Sequence, residues 1–219
     1  MSRRIVIAGG HGKIALILAR LLADRGDSPV GLIRNPDHVR DVEDTGARAV
    51  VIDLEKATVD ELAEHLRDVD AVVFAAGAGP GSGAERKDTV DRGAAVLLAD
   101  AAVAAGVRRY VMISAMGADA EVDSEQDEVF AAYLRAKSAA DADVRSRPEL
   151  DSTIVRPGGL TDDPATSMVT VAESTGRGSI PRADVASVVV SALDIERTVG
   201  QTFEVIGGDT PIDVALTAL

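Results

Sequence analysis

Tyr133 and Lys137 stand four residues apart in the run Tyr133-Leu134-Arg135-Ala136-Lys137, a spacing that puts a phenol and an ammonium on one face of a helix. A phenol titrates near 10 and is a poor base at neutral pH, but a fixed cation beside it stabilises the phenolate and lowers that value. Such a tyrosine can exchange a proton with a substrate hydroxyl or carbonyl while hydride moves to or from a nicotinamide. Ser114 ends the apolar run Val111-Met112-Ile113 and is placed to hydrogen-bond the same substrate oxygen. Tyr133 as acid/base, Lys137 as its electrostatic partner and Ser114 as substrate orienter form the candidate catalytic set. The competing structural reading is a half-buried tyrosine beside a solvated lysine.

Chemistry of that kind needs a cofactor, and the start of the chain has the pattern to hold one. Ile5-Val6-Ile7-Ala8 leads into Gly9-Gly10-His11-Gly12-Lys13-Ile14-Ala15 and then into a helical pattern. Gly9 lets the chain turn sharply off a strand, Gly12 lets backbone approach a diphosphate, and small Ala15 lets the helix pack close to the sheet. The anion would sit at a helix N-terminus, where free N–H groups favour it. A second apolar run, Val30-Gly31-Leu32-Ile33, ends on Arg34. A carboxylate near that point suits the 2′-hydroxyl of NAD, whereas a cation suits a 2′-phosphate, so NADP(H) is favoured over NAD. The alternative for Arg34 is a solvated residue before the turn at Asn35-Pro36.

Positioning these groups falls to alternating elements. Short β-branched runs at 5–8, 30–33, 49–52, 71–75, 110–113 and 153–155 predict parallel strands. Helical patterns fall between them at 13–24, 37–44, 59–66, 88–105 and 127–145. This rhythm predicts a single α/β domain over 1–219, a Rossmann-type doubly wound parallel sheet. The Gly-rich stretch 77–83 follows the fourth strand, at the edge where such sheets bind ligands, and reads either as a site wall or as a surface loop. Residues 157–182 begin Pro157-Gly158-Gly159 and read as a turn-rich crossing, a small C-terminal substrate lid. A helix at 183–194, a strand at 202–205 and a short terminal helix with Thr210 as N-cap and Pro211 first inside complete the expectation.

Composition narrows the functions. The net charge is −13 and the longest basic run is a pair of arginines, which opposes nucleic acid or an anionic membrane as partner. No cysteine is present, so thiol nucleophiles, disulfides and cysteine-ligated metals are excluded. His11, His38 and His65 have no spacing that gathers them on one face, and no metal site is expected. The acidic run Asp123, Glu125, Asp127 and Glu128 reads as a solvated approach to a helix, and Asp184 as a cap or brace for the loop 177–182. Without an apolar segment long enough for a signal peptide or span, a cytoplasmic location is expected, as a monomer or homodimer acting on a small-molecule substrate.

Together these residues resemble the atypical short-chain dehydrogenase/reductases, in the NAD(P)-binding branch similar to biliverdin reductase B-like and NmrA-like proteins. The resemblance runs nearly the whole length, through the glycine loop, Arg34-Asn35-Pro36, Asp53-Leu54, Ala75-Ala76-Gly77, Ser114, Tyr133 with Lys137, Arg156-Pro157-Gly158-Gly159-Leu160 and Arg182-Ala183-Asp184-Val185-Ala186. It implies that His11, Gly12, Lys13 and Ile14 face the diphosphate, Arg34 the 2′-phosphate, and Asp53 with Leu54 the adenine. It also implies that Ala75, Ala76 and Gly77 line the adenosine ribose, Pro157, Gly158 and Gly159 the nicotinamide end, and Tyr133 with Lys137 the nicotinamide ribose. Ala15 departs from the usual third glycine. Fewer than 70 residues follow Val155, which disfavours large nucleotide-sugar substrates.

The leading expectation is an NADP-dependent oxidoreductase for a small carbonyl or alcohol. An epimerase or dehydratase cycle on the same cofactor, a non-catalytic NADP(H) sensor as some NmrA-like proteins are, and a flavin or tetrapyrrole reductase remain open.

Overall fold

The computed structural model describes residues 2–79, 81–120 and 128–219. Its first half alternates as the apolar runs require: β1 (Arg4–Ala8), α1 (Lys13–Asp24), β2 (Ser28–Ile33), α2 (Val39–Glu43), β3 (Arg48–Val51), α3 (Val59–His65) and β4 (Ala71–Phe74). The second half runs α4 (Ala84–Arg86), a π-helical segment Lys87–Gly93, α5 (Ala94–Ala105), β5 (Arg109–Ile113), α6 (Glu128–Arg145) and β6 (Asp151–Pro157). Then follow β7 (Gly159–Thr161), β8 (Met168–Ala172), β9 (Ser179–Pro181), α7 (Arg182–Ala192), β10 (Thr202–Gly207), β11 (Thr210–Pro211) and α8 (Ile212–Thr217).

Nine strands form one sheet in the order β11-β8-β10-β6-β5-β4-β1-β2-β3, and β7 pairs with β9 apart from it. The run from β3 to β10 is parallel. This is a Rossmann-like α/β fold, with its reversal of strand order between β1 and β4. Strand alternation divides the core between two faces. Ile5, Ile7, Val73 and Val111 pack with α1 and α7, while Val6, Ala8, Val72 and Phe74 pack with α3 and α5. Thr58 and Glu61 form a reciprocal capping box that fixes the start of α3.

Three expectations change. The helical pattern at 88–105 divides into the π-helical segment and α5, because a hydrophobic period does not distinguish i→i+4 from i→i+5 bonding. The turn-rich reading of 157–182 gives way to three strands, of which β8 enters the main sheet antiparallel to β10. Thr210 does not cap α8: it pairs with Val169 across β8 and β11, so Pro211 becomes the N-cap and the helix starts at Ile212. Asp123, Glu125 and Asp127 lie outside the described residues, and Glu128 is exposed.

Candidate functional site

The glycine turn forms between β1 and α1. Gly9 has φ +79°, and a Cβ there would stand 2.6 Å from the Ala76 Cα, so the left-handed turn and the contact with the chain after β4 both require glycine. Gly12 is the N-cap of α1 and offers no side chain to the first-turn N–H groups.

Beside this turn lies a cavity of about 330 Å³ at the reversal of strand order. Its lining includes Gly9, His11, Gly12, Arg34, Asp53, Leu54, Ala75, Ala76 and Gly77, nine of the residues singled out from sequence. Lys13 is not among the lining residues; it pairs through Nζ with Asp162 at 2.6 Å, and Asp162 also receives Arg182 at 2.7 Å. Ile14 is partly buried against the α1 side of the core.

Three titratable lining residues, Glu55, Arg86 and His38, had no assigned role. Glu55 accepts Arg34 at 2.8 Å, Arg86 at 2.9 Å and the Thr89 hydroxyl at 2.8 Å, and these bonds, Arg86 first, hold its carboxyl below the ordinary value. Arg34 and Arg86 therefore flank one carboxylate and leave the trio net positive. His38 stacks on His11 at 3.5 Å between ring centroids, and the His11 Nε2 lies 2.8 Å from Asp41. The expectation that the histidines stay apart fails for this pair, because the turn after β2 folds back over the glycine loop. Among the described residues no metal-ligating cluster exists.

The π-helical segment walls the cavity with Val90 and turns Asp91 the other way, toward α6. There Lys137 is 3% exposed, and its Nζ lies 3.3 Å from Asp91 and donates to the Ile113 carbonyl at 3.3 Å. The Tyr133 ring lies 5.9 Å from that Nζ and 5.2 Å from the Nζ of Lys87. Tyr133 and Lys137 thus meet as the spacing predicts, with a buried lysine rather than a solvated one. The expected electrostatics are reversed. Burial, then the charges of Asp91 and Asp141, push the Tyr133 phenol up to about 12. The Lys137 ammonium does not offset burial, the first of these causes.

Asp141 continues the same helical stripe one turn beyond Lys137. It is fully buried, receives Arg156 Nε at 2.8 Å, and burial raises it above an ordinary carboxyl. Arg156 also reaches Asp119 at 2.8 Å, which accepts the Ser138 hydroxyl at 2.9 Å. Ser114 lies beside Asp141 with its hydroxyl sealed from solvent, so touching a substrate requires its side chain to rotate out of that niche. Pro157 closes β6, with Gly158 N–H donating to Val205 and Gly159 N–H to Gly178, both at 2.9 Å. Asp184 braces a loop, though a different one from that expected: it accepts the backbone N–H groups of Thr166 and Ser167.

Of this second group, Asp91, Asp141 and Arg156 carried no role in the sequence reading. The available signal was spacing: Lys87 and Asp91 are four apart, as are Tyr133, Lys137 and Asp141.

A glycine turn at the start of a helix, at the switch point of a doubly wound sheet, defines a dinucleotide-binding α/β protein. Residues 9–196 match the NAD(P)H-binding family, and the chain belongs to it. A Bacillus subtilis protein named as an uncharacterised sugar epimerase, YhfK, is 34% identical over 217 residues, spanning 99% of this chain and 100% of its own. A Bacillus halodurans structure, provisionally named an NAD-dependent epimerase/dehydratase, matches at 36% identity with TM-score 0.90 and full coverage of both chains. ChuY from Escherichia coli O157:H7, described as an anaerobilin reductase, shares the fold at 21% identity and TM-score 0.78, over 94% of this chain and 98% of its own.

Proposed function

We propose that the protein is an NADP(H)-dependent oxidoreductase acting on a small carbonyl or alcohol by hydride transfer. The observation that carries this reading is the Tyr133 and Lys137 pair, set across the π-helical segment from a cavity flanked by two arginines. The cavity suits the adenosine end of a dinucleotide: Gly9, His11, Gly12, Lys13 and Ile14 would face the diphosphate, and Asp53 with Leu54 the adenine. Ala75, Ala76 and Gly77 would line the ribose, Arg34 aided by Arg86 the 2′-phosphate, and Pro157, Gly158 and Gly159 the nicotinamide end.

When bound, a reduced nicotinamide supplies hydride to the carbonyl carbon. Tyr133 gives its phenolic proton to the carbonyl oxygen and regains one from water, so carbonyl becomes alcohol. Lys137 fixes the charge beside the phenol, and Ser114, once rotated, orients the substrate oxygen. The part of 157–182 outside β8 serves as the substrate lid, tied by Asp162 to Lys13 and Arg182. At neutral pH the Tyr133 phenol, pushed up to about 12 by burial, is protonated in the free protein.

The names of the two Bacillus relatives support a second reading, an epimerase or dehydratase cycle through transient oxidation. Such a cycle would use Tyr133 first as base and then as acid.

Titration of the purified protein with NADPH and NADH, followed by nicotinamide fluorescence, tests the cofactor assignment. Preference for NADPH, lost in Arg34→Ala, is the expected result; failure to bind either nucleotide would remove the proposal.

A further inference from the structure

The Tyr133 ring is flanked from both sides of the junction between the π-helical segment and α6. Phe130 stands one turn earlier on α6, with ring centroids 6.2 Å apart, and Lys137 one turn later, with its Nζ 5.9 Å from the centroid. From the facing π-helical segment the Nζ of Lys87 approaches to 5.2 Å. Lys137 is buried against Asp91, so its charge is already paired. Lys87 is half-buried, and its Nζ donates to a neutral acceptor, the Gly79 carbonyl, at 3.0 Å.

The other three lysines of the chain each meet a carboxylate: Lys13 meets Asp162 at 2.6 Å, Lys56 meets Asp53 at 3.2 Å and Lys137 meets Asp91 at 3.3 Å. Among the described residues no carboxylate pairs with Lys87, and Asp88 beside it is taken by Arg92 at 2.6 Å. The chain carries a net charge of −13, so a small anion is repelled unless a local cation receives it. A carboxylate is a stronger acceptor for an ammonium than a peptide carbonyl, and the flexible lysine stem lets Lys87 exchange one for the other. Arg86, its neighbour in sequence, faces the other way, lining the cavity and bonding Glu55 at 2.9 Å. Successive residues thus set one cation at the cavity and one at the phenol.

We infer that Lys87 is a specificity-determining residue: it takes the carboxylate of a small keto acid whose carbonyl oxygen bonds the Tyr133 phenol. The reaction rests on the oxidoreductase reading above, which this narrows to anionic carbonyl substrates; the binding of the acid does not depend on it. Reduction turns the keto acid into a hydroxy acid, the hydride that NADPH supplies going to the carbonyl carbon and the Tyr133 proton to its oxygen. The carboxylate leaves as it entered. Lys87 therefore holds substrate, transition state and product alike, and its loss falls on KM more than on kcat.

Pyruvate and acetoacetate, each set against its methyl ester, are the probes. With NADPH and the full-length protein, kcat/KM for acid over ester is expected to be about tenfold or more in the wild type, to fall to near one in Lys87→Met, and to be largely kept in Lys87→Arg. A general loss of activity cancels in that ratio, so a merely structural role for Lys87 leaves it unmoved. A wild-type ratio of one or less for both pairs, or an unchanged ratio in Lys87→Met, overturns the inference. Saturation-transfer NMR of the same acids with nucleotide-free protein reads the binding alone and should show contact that fades in Lys87→Met. Where no probe is turned over, absence of acid binding in that measurement overturns the inference. Acid binding through Lys87 without NADPH binding would instead refute the proposed function and leave the anion site standing, whereas reduction of the esters alone would do the reverse.

Discussion

The cavity side of the site and the acid-base side are built from the same kinds of charge in opposite surroundings. Around the cavity, Arg34 is 55% exposed, and its bond to Glu55 can exchange with solvent or with a ligand phosphate. Such pairs contribute little to stability, typically about 0–1 kcal/mol, and so are free to serve recognition. Behind the π-helical segment, Asp91, Lys137, Asp141 and Arg156 are all buried and bound in two pairs, Asp91 with Lys137 and Asp141 with Arg156. Removing one partner there strands a charge, which costs far more than breaking an exposed pair. Ion pairs can therefore give an adaptable binding surface in one place and a fixed arrangement of charge in another.

Breaking the buried network should give the largest effect. Arg156→Met leaves Asp141 and Asp119 without their cation and should lower unfolding free energy by about 3 kcal/mol or more in urea denaturation at neutral pH. A loss near zero would mean that the network is no tighter than the surface pairs. On the cavity side, Arg34→Ala should weaken NADPH binding about tenfold or more while leaving NADH nearly unchanged, with little change in stability. Equal losses for both nucleotides would place Arg34 away from the 2′-phosphate.

Asp141 sharpens the contrast through pH. Burial raises it, so the folded protein holds that proton more tightly than the unfolded chain does. Its contribution favours folding at low pH and is lost as pH rises from about 4 through the folded value. Asp141→Asn should therefore gain on the wild type as pH rises, and parallel stability curves for the two proteins would contradict this. The smallest effect belongs to Glu55→Gln, which frees Arg34 and Arg86 and should tighten NADPH binding about two- to threefold in the same fluorescence titration. Weaker binding would show that Glu55 orients the arginines instead of competing for them.

The two regions also differ in how far they were legible in the sequence. The strands and the glycine turn could be read because each depends on near neighbours: Ile5 and Ile7 alternate with Val6 and Ala8, and Gly9 sits where β1 must turn. The meeting of Tyr133 and Lys137 was legible from their helical spacing. Its electrostatics were not, since Asp91 approaches from a segment more than forty residues earlier, and only the π-helical turn aims it there. The stacking of His11 on His38 likewise depends on how the turn after β2 folds back, and Thr210 lost its capping role to a pairing with distant Val169. In each case a long-range contact prevailed over a local preference.

The most direct test of the central claim is NADPH consumption at 340 nm by wild-type protein and Tyr133→Phe across a panel of small aldehydes and ketones. The account predicts that at least one carbonyl is reduced and that the variant loses about 10²- to 10⁴-fold in rate while still binding NADPH. Turnover that is the same in both proteins would contradict the role given to Tyr133, and tight NADPH binding with no carbonyl reduced by either would contradict the assignment as a carbonyl oxidoreductase.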